Sequence, residues 1–168
     1  MRHGQGFTLV EVLVVVIVLG ILATVVLPRL STATAAARYS MLADDVRIAR
    51  LQVLMFKGQH HGIAPGYPGL SNSVAPTEDA FVDHLTKAST SAGAVADPGT
   101  AGYPYGPYMS RIPENPINGK ATIQVIADGC AVPATGDDSH GWIYQPSTCI
   151  FKADASGADE WGKAFIDY

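Results

Sequence analysis

The chain has 168 residues, enough for one domain with a modest core and too few for two ordinary ones. Lys plus Arg total 11 and Asp plus Glu 15, a net charge of −4 that gives no reason to expect nucleic acid as a main partner. Apolar residues make up 48 %, but the excess is local: residues 12–27 carry no charge, whereas beyond Lys57 five basic residues stand against twelve acidic ones.

In chain order, residues 7–30 come first. Their apolar run exceeds the about 7–15 residues of a secretory h-region, and no small-x-small cleavage site follows, because Leu27-Pro28-Arg29-Leu30 comes next. A plain signal anchor fits better, since about 20 apolar residues span a bilayer. Glu11 resists that reading: a carboxylate near the start of such a segment is costly in lipid without a partner.

The stretch Gly6-Phe7-Thr8-Leu9-Val10-Glu11 resembles the cleavage and methylation motif of the type IV pilin-like family, which includes the pseudopilins of type II secretion. The similarity continues through residues 12–23 to Pro28. It implies a leader of residues 1–6 carrying Arg2, removed after Gly6 by a prepilin peptidase, and an N-methylated Phe7 as the new terminus. Residues 7–30 are then the transmembrane and polymerisation helix, with Glu11 as the fifth mature residue. The physics agrees, because an amine at Phe7 and a carboxylate at Glu11 are each expensive in an apolar medium. Pairing between neighbouring subunits offsets that cost and sets their stagger. Gly20 and Pro28 complete the family's assembly residues, and Pro28, which lacks a donor, predicts a kink over residues 23–28.

Residues 31–57 read as an amphipathic continuation of the helix. Ala33, Ala35, Ala36 and Ala37 are strong helix formers. Leu42, Val46, Ala49, Val53 and Phe56 then lay an apolar stripe opposite Arg38, Asp44, Arg47 and Arg50. Gly58 and Gly62 are expected to stop the helix, with His60 and His61 at its solvated end. A continuous helix over residues 7–57 would be about 75 Å long.

Residues 58–168 are expected to form a globular head. A Gly- and Pro-rich loop covers residues 63–76; Thr77 then caps a short helix reaching about Ala88, with Phe81 and Leu85 on one face. Residues 89–106 read as loop. The segment 105–119, with its Pro113-Glu114-Asn115-Pro116, resembles a Pro-rich turn of the secretion-type major pseudopilins. Strands are expected over residues 121–127, 141–145 and 149–153, the last two joined by a turn at Pro146-Ser147-Thr148. Cys130 and Cys149 are too sparse for a zinc site. If the head lies outside the cytoplasm, they are expected to form a disulfide, whose loop closure is worth roughly 3 kcal/mol.

Ser139-His140 beside Asp137-Asp138 supplies triad residue types without a nucleophile-elbow pattern, so no enzyme is read here. No cofactor is required by the sequence. Calcium is the one ligand suggested, by Asp154, Asp159, Glu160 and Asp167 with Gly157 and Gly162 between them. Secretion-type major pseudopilins carry such a site in their C-terminal loop, although their loop pattern has no clear copy here; the other reading is an acidic solvated tail.

Together these readings give an α+β, pilin-like fold: a long N-terminal membrane-spanning helix packed on a small antiparallel sheet. The expected role is a homopolymeric envelope filament, either a type II secretion pseudopilus or a type IV pilus. Its expected partners are prepilin peptidase, an inner-membrane assembly platform and minor pilins or pseudopilins. The subunit would be single-pass in the inner membrane with its head outside the cytoplasm, then part of a periplasmic or extracellular filament. A minor pilin or adhesin, a DNA-uptake pilin and a signal-anchored periplasmic domain are the alternatives.

Overall fold

The computed structural model describes residues 8–168, apart from the side chains of residues 25–32. The chain divides into two compact units, Met1–Arg38 and Tyr39–Tyr168. One helix, α1 (Leu9–Gln59), contributes to both. The expected leader, Gly6 and Phe7 lie outside the described residues.

In the first unit α1 starts on a capping box. Thr8 Oγ1 accepts the amide of Glu11 at 3.3 Å, and the Glu11 carboxylate accepts both the Thr8 amide and the Thr8 hydroxyl at 2.8 Å. This reciprocal arrangement satisfies backbone donors that a helix start leaves open. Beyond it residues 12–27 carry no charge, and the helix passes Gly20 and Pro28 without interruption. Among the described residues, no helix is long and apolar enough to cross a membrane. The apolar run itself continues through residues 25–27, whose side chains lie outside the description.

In the second unit α1 buries Leu42, Val46, Ala49, Val53 and Phe56, the stripe that the 4-3-4-3 spacing predicts. The helix ends two residues later than expected. Gly58 is helical, and the stop is made by His61 and Gly62 with φ of 54° and 79°, the Gly62 amide reaching back to the Lys57 carbonyl at 3.0 Å. This is a Schellman-type closure, in which left-handed residues turn the chain and satisfy a terminal carbonyl. His60 is not solvated: it is fully buried, stacked on Phe56 at 3.8 Å, with its ring nitrogens on the Phe56 carbonyl and the Ser89 hydroxyl.

A 3-10 turn, Pro68–Leu70, precedes α2 (Glu78–Thr86). Thr77 Oγ1 caps α2 by accepting the Ala80 amide at 3.2 Å, and Phe81 and Leu85 face the core. Two short strands follow where loop was expected: β1 (Ala88–Ser89) pairs antiparallel with β2 (Val95–Ala96).

The main sheet has three strands in the order β3 (Ile123–Val125), β4 (Trp142–Gln145), β5 (Ile150–Ala153). β4 and β5 form the expected antiparallel hairpin, but β3 runs parallel to β4, with Ile123 opposite Trp142. The sheet is therefore mixed rather than antiparallel. A parallel neighbour needs a crossover of a dozen or so residues, and residues 126–141 supply it. Central β4 is buried along its whole length. Trp142 and Tyr144 join the α1 and α2 side chains with Phe151, while Ile143 packs in a second cluster with Ile126 and Ile166. At the start of the outer strand, the Ile123 amide donates to the Glu78 carboxylate of α2 at 2.7 Å, so a side chain takes the place of a further strand there.

Candidate functional site

The apolar face of α1 in the first unit is the first candidate. Every large side chain from Leu9 to Leu22 is exposed, from 83 % at Leu9 to 49 % at Val18. Within this face, Glu11 is the single charged group among residues 9–24. Its carboxylate is held by Thr8, a partner within the same chain that the pattern Thr-x-x-Glu spells in the sequence. Gly20 has open space on its Cα, so the described chain gives its lack of a side chain no packing role.

In the second unit the Pro-rich segment 113–119 is a structural latch. Asn115 is buried; its Nδ2 donates to the Gly141 carbonyl at 2.8 Å and its Oδ1 accepts the Ile117 amide at 2.9 Å. Asn118 donates to the carbonyls of His140 and Asp154, both at 2.7 Å, and Trp142 Nε1 donates to the Pro113 carbonyl at 2.9 Å. The motif thus clamps the entry to β4. Gly141 is required there, because a Cβ would stand 2.0 Å from the Lys120 carbonyl oxygen.

The latch brings Ser139, His140 and Asp154 together. Ser139 Oγ lies 2.8 Å from His140 Nδ1 and 3.1 Å from Asp154 Oδ2, and the same carboxylate oxygen accepts the His140 amide at 2.8 Å. Hydroxyl and carboxylate both address Nδ1, at 2.8 and 4.0 Å, so the imidazole is not bridged between them as a base and its orienter must be. The arrangement closes a turn and has no relay.

The four expected calcium ligands are not gathered into one group. Buried Asp154 spends both carboxylate oxygens on the Asp137 and His140 amides and the Ser139 hydroxyl. Asp159 accepts the Trp161 and Lys163 amides at 2.9 Å and the Tyr168 hydroxyl. Those donors, the Tyr168 hydroxyl foremost, hold its carboxyl below the usual range. Asp167 pairs with Lys152 at 3.5 Å, and Glu160 is exposed. Among the described residues no cluster of three His, Cys, Asp or Glu stands in position to hold a metal. The donor set therefore does not fit calcium.

The expected disulfide is also absent: Cys130 and Cys149 are both free thiols, one exposed and one half-buried. Cys149 occupies a left-handed position after the β4–β5 turn, with φ of 56°, and its sulfur accepts from Lys57 Nζ at 3.5 Å.

An exposed apolar helix carrying one carboxylate near its start, joined to a small α+β unit, defines a prepilin-type chain. The sequence model of the prokaryotic N-terminal methylation motif matches residues 1–27. The type II secretion system core protein G of Vibrio cholerae is 32 % identical over 158 residues, covering 86 % of this chain and 96 % of that one. Those of Klebsiella pneumoniae and Aeromonas hydrophila are 27 % and 31 % identical, over 84 % and 68 % of this chain and 96 % and 68 % of theirs. The chain belongs to the type II secretion system core protein G family. No solved structure matches it.

Proposed function

We propose that this chain is the structural subunit of a type II secretion pseudopilus, made as a precursor, cut between Gly6 and Phe7, and methylated on Phe7. The observation that carries this reading is the face of α1 over residues 9–22, where every large apolar side chain is exposed. Leaving that much apolar surface in water opposes solubility, so the segment needs lipid or neighbouring copies of itself. The subunit is then anchored in the inner membrane with Tyr39–Tyr168 outside the cytoplasm, and it is transferred from lipid into a helical homopolymer. Prepilin peptidase, an inner-membrane platform and minor pseudopilins are its partners. No catalytic role is assigned, since Ser139, His140 and Asp154 form no relay.

In the lone subunit the Glu11 carboxylate rests on Thr8 at the helix start. Within a bundle of apolar helices, the Phe7 amine of a neighbour becomes the partner of opposite charge. Glu11→Val should therefore be inserted and cleaved normally yet yield little sheared filament, and Gly6→Val should accumulate as the uncut precursor. Wild-type filament yield from Glu11→Val, measured against membrane-bound subunit on the same blot, would mean that packing alone drives assembly.

A further inference from the structure

We infer that residues 154–168 form a clasp that closes without a metal ion, the chain's own amides, lysines and the Tyr168 hydroxyl filling the places a calcium would take. Calcium is what the resemblance to secretion-type major pseudopilins implies for this segment, and the side chains here are committed otherwise. A calcium ion needs six to eight oxygen ligands turned toward one point. Asp159 instead turns its oxygens toward two amides and a phenol, and Asp154 toward two amides and a hydroxyl. An amide N–H cannot ligate a cation, and each would lose its acceptor if the carboxylate swung away.

Positive charge is already in place. Lys163 Nζ sits 3.9 Å above the Tyr168 ring, a cation–π contact, beside the carboxylate that the same tyrosine engages. Lys152 pairs with Asp167. Arg50 of α1 then fastens the segment, donating from Nη2 to the Tyr168 carbonyl at 2.8 Å and from Nε to the Phe151 carbonyl at 3.0 Å. A dication entering this group would meet two ammonium ions and a guanidinium. The clasp thus ties the last turn of the chain to α1 by hydrogen bonds, and its strength is independent of the divalent-ion content of the compartment.

This inference does not rest on the filament reading, because its test uses the unassembled chain. Thermal unfolding of the full chain in detergent is followed with EGTA and with millimolar calcium chloride, alongside calorimetric titration with calcium. The expected result is one transition temperature in both conditions and no binding heat. Tyr168→Phe, which removes one hydroxyl, and Asp159→Asn should each lower that temperature by about 3 °C or more, equally with and without calcium. A rise with calcium that Asp159→Asn abolishes would overturn the inference, as would a Tyr168→Phe protein that melts like the wild type. Filament yield is scored separately, so failure of assembly and failure of the clasp remain distinct results.

Discussion

Acid should loosen the junction between α1 and α2, and His84 is the group through which it acts. His84 is 97 % removed from solvent in the sense that only 3 % of it is exposed, and its ring stacks on Phe56 at 4.9 Å. Its Nδ1 accepts the Gly66 amide at 3.2 Å, so a second proton has to displace that hydrogen bond. Burial, with the nearby His60 adding to it, lowers the pKa from 6.5 to about 4, against a smaller opposing pull from Asp83. The unfolded chain therefore binds the proton more readily than the folded one, and stability rises with pH. The contribution is fully present above pH 6.5 and lost as pH falls toward 4. Across that interval it amounts to about 3 kcal/mol, of which about 2 kcal/mol disappears between pH 7 and pH 5. His60, also pushed down by burial, adds in the same direction. The assay is urea unfolding of the full chain in detergent at several pH values, followed through the fluorescence of buried Trp142. His84→Asn keeps an acceptor near Nδ1 but cannot titrate, so its stability should fall less steeply between pH 7 and pH 5. Parallel curves for wild type and variant would refute the reasoning, whatever their offset.

Two further outcomes follow from local geometry. Thr77→Ala removes the cap of α2 and should cost about 1 kcal/mol in the same unfolding assay. Gly141→Ala should fail to yield a folded head, scored by protease resistance, because its Cβ would collide with backbone at Lys120 rather than with a side chain that can move.

Much of this architecture is legible in the residues, for physical reasons that also mark where reading stops. The stripe from Leu42 to Phe56 announces itself because one face of a helix repeats at three and four residues, and all five positions are buried. Thr77 followed by Glu78 and Asp79 marks a helix start in the same local way. The parallel pairing of β3 with β4 has no such signature, since it is decided by the path of residues 126–141 and not by alternation within either strand. The burial of His60 leaves no local sign, because its covering groups include Ser89, carried by a two-residue strand too short to show in any pattern, and the rings of Tyr105 and Tyr108. The acidic residues after Asp154 gave a charge count but not a direction. Whether carboxylates converge on a cation or turn toward amides depends on loop backbone, such as the left-handed Gly157 and Gly162. Glu11 and Thr8 show the opposite case: their capping box is spelled locally as Thr-x-x-Glu, whereas a charge partner on another chain leaves no mark in the spacing.

The reach of Arg50 sets an order of events during synthesis. Its two acceptors, the carbonyls of Phe151 and Tyr168, lie 101 and 118 residues downstream. At translation rates of about 5–20 residues per second, the guanidinium is made on the order of 6–24 s before Tyr168. For most of that interval the buried stripe of α1 lacks β4 and β5, which are made only with residues 142–153. The two hydrogen bonds by which Arg50 holds β5 and Tyr168 against α1 can therefore close only late in synthesis, the second after residue 168 is made.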